Sequence, residues 1–454
     1  MVLVLIACSS IACSDSEHEV ADPKPVADAG GSTLEAEAYV WGYPLVVTRR
    51  TLQTFAPVIG VNQLFNQAAP SGAATRFIVS PNVDTLYSVA VLDLRAEPLV
   101  LSVPDATDRY WTYQFLDAWT NSFAYLGTRA TAGKGGTFVI TPPGWTGALP
   151  SGAQRIESPT PVGFLLGRFL FRDPADTANV VALERTLKPL HEVVGGPAPS
   201  APPALGAALG TAQEVADSGG SFYDELGDSL ALAGTASPFD TEELARFASL
   251  GIGAGLHPFA AGDATKKATL SEGAATGNLL IENEASVGAP PGQAFTVRLD
   301  VGTYSSDSSL QRAAIAQFLW GANVPEESVY ALSVHDANGA PYTGDQRYRV
   351  HFASGQLPPY ATEGFWSMTM YGPDHFFVAN SADVYAVGDR TQGLTENADG
   401  SLDIYVQSTA PTGHEANWLP SPESGPFRLM LRIYLPAQAV TAGQYVYPTV
   451  TRIP

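Results

Sequence analysis

Cysteine is nearly missing from this chain. Of its 454 residues only Cys8 and Cys13 are cysteines, and nothing downstream of them offers a thiol. Disulfides, cysteine-ligated zinc and a thiol nucleophile are therefore excluded from the folded part. Basic residues are scarce too: 24 Lys and Arg stand against 45 Asp and Glu, a formal charge of −21. Such a balance repels phosphate backbones and anionic headgroups, so nucleic acid is excluded as a partner. The excess carboxylates read most simply as a solubilised surface.

Other signatures are missing as well. His18, His191, His257, His335, His351, His375 and His414 stand singly, without an HxH or HExxH string, and spacing indicates no metal site. Asp336-Ala337-Asn338-Gly339 lacks the remaining ligands of a calcium loop and reads as a turn. Neither a Gly-x-Ser-x-Gly elbow nor a Walker loop is found. The glycine run from Leu250 to Gly255 follows a helical pattern rather than a strand, which argues against a dinucleotide site. No motif specifies a cofactor or an oligomeric state.

Long apolar runs are confined to the beginning. Residues 1–13 are apolar and end in small residues, and they are far shorter than the roughly 20 residues of a membrane-spanning helix. They read as a secretory signal. Leu5-Ile6-Ala7-Cys8 and Ser10-Ile11-Ala12-Cys13 both resemble a bacterial lipobox, and Cys13 leaves the more workable apolar stretch before it. The expectation is an exported, lipid-anchored protein, periplasmic or at the cell surface, that meets the membrane only through its anchor. Residues 14–31 carry no periodic apolar pattern and read as a flexible tether.

What the chain has in quantity is apolar residues, 45%, together with 43 glycines and 35 prolines. That combination suits buried strands joined by many turns. A helix is expected from Thr33 to about Phe55, with a kink or break near Gly42-Tyr43 ahead of Pro44. Strands follow at Leu86–Leu94, Leu99–Val103, Tyr110–Trp119 and Thr137–Ile140. Helical spacing over Thr177–His191, Thr211–Leu232 and Asp240–Leu250 marks a connector, and Ser308–Trp320 is a further helix. Beyond Ala331, turn dipeptides such as Asn338-Gly339 and Asp399-Gly400 separate strands at Tyr348–Phe352, Phe365–Tyr371, Leu402–Gln407 and Phe427–Leu435. The predicted architecture is mainly β with a helical connector: two antiparallel sandwiches over 32–170 and 301–454, joined through 171–300.

Several uncommon strings carry a resemblance. Ser80-Pro81-Asn82-Val83-Asp84-Thr85-Leu86-Tyr87, Arg109-Tyr110, Asp117, Asn121 and Leu126-Gly127-Thr128-Arg129 resemble the bacterial domain of unknown function 1254. Phe365-Trp366-Ser367-Met368-Thr369-Met370-Tyr371, Asp399-Gly400-Ser401-Leu402, Asn417-Trp418-Leu419-Pro420 and Arg432-Ile433-Tyr434-Leu435-Pro436 resemble the domain of unknown function 1214 that usually follows it. The resemblance runs from about residue 35 to the C-terminus. It implies two jelly-roll-like sandwiches joined by a helical segment, and it implies no reaction. Val83 departs from it, standing where a polar residue is often found.

Two polar clusters interrupt the apolar strands of the first sandwich. Asn82, Asp84, Thr85 and Tyr87 follow Pro81 in a shaped turn entering a strand. Either Asp84 is a base or ligand anchor at a pocket mouth, or Asn82 and Asp84 satisfy local N–H groups in an Asx turn. Arg109, Gln114, Asp117, Asn121 and Arg129 form the second cluster; they pair with one another, or an arginine grips a carboxylate or phosphate through its planar fork. Trp366, Tyr371, Asn417, Trp418 and Arg432 are the C-terminal candidates for ligand contact, with core and corner roles as the plainer reading of both tryptophans.

Two functions are consistent with this pattern. One is an envelope-anchored hydrolase or related enzyme acting on a small polar or anionic molecule, with Asp84, Asp117 and Tyr87 as catalytic groups and Asn82, Arg109, Asn121 and Arg129 holding the ligand. The other is a non-catalytic binding or structural lipoprotein. A carboxylate facing a deep pocket favours the first, and polar groups paired among themselves favour the second.

Overall fold

The computed structural model describes residues 32–187, 190–192, 205, 211–290, 292–304 and 308–454. The expected leader and tether, with Cys8 and Cys13, lie outside the described residues, as does nearly all of the loop 196–206.

The first sandwich contains β1 (Phe65–Asn66), β2 (Thr85–Asp93), β3 (Leu99–Val103), β4 (Trp111–Asp117) and β5 (Ser122–Gly127). It continues with β6 (Gly136–Thr141), β7 (Gln154–Glu157), β8 (Val162–Leu170) and β9 (His191–Glu192). One sheet has the order β1-β2-β8-β4-β5, and the other β7-β6-β3-β9. Every residue of β2, β4 and β8 is buried. The reason is that both faces of this sheet are covered. Leu86, Ala90 and Leu92 pack against the second sheet, through Leu99, Leu101, Phe138 and Ile140. Tyr87, Val89 and Val91 alternate to the opposite face, beneath the helices. Such a strand reads as a nearly continuous apolar run.

The second sandwich contains β10 (Thr296–Val297), β11 (Ser328–Ser333), β12 (Arg347–Phe352), β13 (Tyr360–Tyr371) and β14 (Ala386–Gly388). It ends with β15 (Leu402–Gln407), β16 (Trp418–Pro420), β17 (Arg428–Pro436) and β18 (Thr449–Ile453). Its sheets are ordered β10-β11-β17-β13-β14 and β16-β15-β12-β18. Strand for strand, this repeats the first sandwich. Even the departure from antiparallel pairing recurs, since β6 and β7 run parallel and so do β15 and β16.

The helices longer than one turn are α1 (Leu34–Ile59), α2 (Thr177–Glu184), α3 (Phe222–Ala233), α4 (Pro238–Phe247), α5 (Ala264–Ala285) and α6 (Ser309–Phe318). Thr33 caps α1 by accepting from Ala36 N at 3.3 Å, and Glu35 and Glu37 occupy the first turn. Of the kink or break expected near Gly42-Tyr43, the break does not occur, since α1 runs through Pro44. The helix is enclosed almost all round from Ala36 to Phe55, and that packing holds the turn weakened by the proline ring. Glycines permit the enclosure: a Cβ on Gly42 would meet Leu226 of α3 at 2.6 Å, and one on Gly277 of α5 would meet Tyr39 at 2.7 Å.

The connector differs from its predicted helices in three places, the first being α5, which the sequence reading did not pick out. Helical structure ends at Glu184, and His191–Glu192 returns to pair with β3, so the first sandwich draws a strand from beyond residue 170. Residues 212–221 form 3-10 turns that precede α3 as a separate piece, because Gly219 is held at φ 51°, ψ −133°. Among the described residues no helix is long and apolar enough to cross a membrane.

Candidate functional site

Local chemistry first shapes the entry to β2. The Asn82 side-chain oxygen accepts from Asp84 N and Thr85 N, both at 2.9 Å, and from the Thr85 hydroxyl at 3.1 Å. Its amide nitrogen and backbone N–H donate to Tyr87 Oη at 2.8 and 3.1 Å. The turn is an Asx turn locked onto the first inward tyrosine of the strand. In the second sandwich Asn323 donates through the same two groups to Tyr330 Oη, at 2.9 and 3.1 Å, at the entry to β11.

Register then places an arginine opposite each tyrosine: Arg168 on β8 faces Tyr87, and Arg432 on β17 faces Tyr330. Each arginine reaches into the other sandwich. Arg432 Nη2 donates to Ser80 O at 2.7 Å and Nη1 to Thr369 Oγ1 at 3.1 Å. Arg168 Nη2 donates to Gly321 O at 2.7 Å, and Nη1 to Gln114 Oε1 at 2.8 Å and Asn323 Oδ1 at 3.2 Å. Ser80 and Gly321 each lie two residues before the asparagine of their turn. The reciprocity defines a pseudo-twofold axis between the sandwiches.

Two ion pairs obey the same symmetry. Arg390, after β14, pairs with Asp84 of the first sandwich, which also accepts from Ser367 Oγ at 2.7 Å. Arg129, after β5, pairs with Glu327 of the second at 2.6 Å. Burial, partly offset by Arg129, pushes the Glu327 carboxyl above its ordinary range. The glycines preceding these arginines are forced by close approach. A Cβ on Gly127 would sit 2.2 Å from Trp111 O, and one on Gly388 would sit 2.3 Å from Trp366 O. Tyr110, Leu170, Phe365, Tyr434 and Leu435 seal the seam as a small apolar cluster.

Beside this seam is a cavity of about 20 Å³, lined by Asn82, Tyr87, Arg168, Tyr330, Arg432 and Tyr434, with Trp320 and Ile78 among its apolar neighbours. Arg168 and Arg432 are 5% and 2% exposed. Among the described residues neither has a carboxylate within 4.0 Å. Burial, partly offset by Arg168, raises the Tyr87 phenol, so its hydroxyl keeps its proton at neutral pH.

Of the residues picked out by sequence, Asn82, Asp84, Tyr87, Gln114, Arg129, Tyr371 and Arg432 gather at the seam, Gln114 through Arg168 and Ala322 O. Tyr371 donates its hydroxyl proton to Pro81 O. The others have separate places. Asp117 lies at the far end of β4, accepting from Trp119 N at 2.8 Å and from the backbone and side chain of Asn121, both at 2.9 Å. Burial, partly offset by these bonds, pushes its carboxyl up to about 6. Arg109 pairs with Asp176 at 3.0 Å. Trp366 is buried in the second sandwich core. Asn417 bonds the backbone of Thr395 and Asp403, and Trp418 donates to Gln407 O at 2.8 Å.

Sequence reasoning missed Arg168, Asn323, Glu327, Tyr330 and Arg390. An internal comparison would have found them. Asn82-Val83 followed by Tyr87 recurs as Asn323-Val324 followed by Tyr330, with two residues inserted. Tyr110-Trp111-Thr112 matches Phe365-Trp366-Ser367, and Gly127-Thr128-Arg129 matches Gly388-Asp389-Arg390. Among the described residues no group of three or more His, Cys, Asp or Glu is placed to hold a metal ion.

Comparison with known proteins agrees with the two-part architecture. Residues 61–190 match the family described as "Protein of unknown function (DUF1254)", and residues 327–438 match "Protein of unknown function (DUF1214)". No functionally curated protein matches the chain. Among solved structures, the VPA0106 protein from Vibrio parahaemolyticus is similar at 22% identity and a TM-score of 0.64, over 93% of this chain and 99% of that one. An uncharacterised protein from Burkholderia cenocepacia is 16% identical over 92% of this chain and 88% of that one, with a TM-score of 0.46.

Proposed function

We propose that this protein is a non-catalytic binding protein of the cell envelope that holds a small anion between its two sandwiches. One observation carries the reading: two guanidinium groups, Arg168 and Arg432, are buried at one cavity with neutral acceptors only. Burying a charge costs several kcal/mol unless it is compensated, and an anion between the two would supply that compensation. The catalytic alternative is weaker because its carboxylates are engaged. Asp84 is held by Arg390 and Ser367, and Asp117 is held by its own turn.

A thermal-shift panel on the purified chain tests this, using sodium salts of halides, carboxylates, phosphate and sulfate beside neutral sugars and divalent cations. A bound ligand at about 100 times its dissociation constant adds roughly 2.7 kcal/mol. Saturable stabilisation by anions is expected. A response to sugars or cations alone would overturn the reading. The envelope placement rests on the lipobox ending at Cys13, ahead of the stretch 14–31, which carries no periodic apolar pattern. Cys13→Ala is expected to move the protein from the membrane to the soluble fraction; continued association would remove Cys13 as the anchor, and association that also survives Cys8→Ala would remove the anchor from the proposal.

A further inference from the structure

The seam cavity is rich in hydrogen-bond donors. A phenol oxygen has two lone pairs and one proton. In Tyr87 both lone pairs are taken by Asn82, and in Tyr330 both are taken by Asn323. What each hydroxyl still has to offer is its proton, and among the described residues neither proton has an acceptor. The acceptors nearby are committed. Ser80 O serves Arg432, Gly321 O and Asn323 Oδ1 serve Arg168, and Asn82 Oδ1 serves Asp84 and Thr85. Two phenol protons and two guanidinium groups thus line one space to which the described residues bring no carboxylate.

Size narrows the class of ligand. About 20 Å³ holds one occupant of water size, since a single water needs roughly 10–15 Å³ by the same measure. A carboxylate with a carbon chain, or a tetrahedral oxyanion, exceeds that. The apolar wall, with Ile78, Leu319 and Trp320, excludes competing solvent and favours an ion that gives up its hydration shell readily.

Building on the anion-binding reading above, we propose that the chamber takes one monatomic anion of the halide class, accepting from the Tyr87 and Tyr330 hydroxyls between Arg168 and Arg432. Each sandwich contributes one tyrosine and one arginine, so the ion belongs to both halves and fastens them together. Charge-assisted bonds from matched donors are the strong kind, and here they come in symmetric pairs.

The test uses the purified chain in sodium gluconate, an anion too large for the chamber, with sodium bromide replacing it at constant ionic strength. Crystals grown in bromide should show one anomalous bromine peak between Arg168 and Arg432. In solution the melting temperature should rise saturably with bromide. Tyr330→Phe keeps the ring and removes one donor, so the bromide affinity should fall about tenfold or more. Arg168→Gln should abolish the saturable response. Absence of a peak at the chamber, or unchanged affinity in Tyr330→Phe, overturns the proposal. If bromide stays out while acetate or phosphate still stabilises saturably, the halide assignment fails and the wider anion reading stands. If no anion stabilises the protein, both fail.

Discussion

Replacing Asp84 by Asn removes one charge from the seam while keeping the shape of the side chain. Asp84 is 5% exposed and Arg390 22% exposed, and Ser367 Oγ donates to the second carboxylate oxygen at 2.7 Å. Removing one partner of a fully buried pair costs about 3–5 kcal/mol. Here the amide oxygen of Asn still accepts one bond. Arg390 also keeps Asp389 at 3.6 Å, its bond to Phe171 O at 3.3 Å and its position over the Phe365 ring at 4.4 Å. The expected loss is therefore about 2–3 kcal/mol, read as a lower midpoint in urea unfolding with little change in slope. Arg390→Met should cost a similar amount. The double variant should cost at least about 1 kcal/mol less than the two singles combined, because the charge left behind by each single is absent. The mirror cycle, Glu327→Gln with Arg129→Met, should give a smaller coupling, since Arg129 is 34% exposed and solvent screens its charge. Additive costs at Asp84 and Arg390 would refute the argument that this pair ties the sandwiches together.

Three further outcomes concern stability. His375, stacked on Phe318 beside Arg428, is pushed down to about 3 by burial and then by the arginine. The unfolded chain takes up that proton near pH 6.5 while the native one does not, so stability falls as pH drops from 6.5 towards 3; it should be about 1–2 kcal/mol lower at pH 5 than at pH 7.5. His375→Asn, which tolerates the φ of 63°, should flatten that limb of the urea-midpoint profile, and an unchanged slope would exclude His375 as its source. Glu184 has the opposite sign: burial without a side-chain partner among the described residues pushes its carboxyl up to about 8. Its native form holds a proton that the unfolded chain releases near pH 4.5, so stability is lost as pH rises from 4.5 to 8, about 3 kcal/mol of it by pH 7. Glu184→Gln should gain on the wild type across that window, and parallel curves would contradict the assignment. Gly388→Ala should destabilise strongly because its Cβ would strike Trp366 O, whereas Gly413→Ala, with open space around it, should be limited to the milder strain of its positive φ; equal melting temperatures would count against the close approach.

The sandwiches were readable because their signals are local. Turn dipeptides and apolar runs bound most of the strands, and Pro81 with Asn82 announces the turn into β2. Other features escaped, among them β5, β11 and α5. Pro44 suggested a break that packing overrides. The central strand Val162–Leu170 contains Gly163, Gly167 and Arg168, each a poor strand signal in isolation. Their reasons lie across the sheet: a Cβ on Gly163 would meet Leu116 O at 2.5 Å, and one on Gly167 would meet Ser88 O at 2.7 Å. The site was legible only by halves. Asp84 finds Arg390 at a separation of 306 residues, and Arg168 finds Asn323 at 155, distances over which no periodicity speaks.

The matched reach of Arg168 and Arg432 bears on how such a chain is built. A contact in which residue i touches j, and the counterpart of j touches the counterpart of i, is the geometry of a symmetric dimer. Either half, freed from the other, would present a surface self-complementary in kind, with an asparagine turn to receive an arginine and an arginine to offer one. An isolated half should therefore tend to pair with its own copy. The covalent connection fixes instead which two surfaces meet, and it frees the two turns to diverge, as Asp84 and Glu327 have done, without losing the seam.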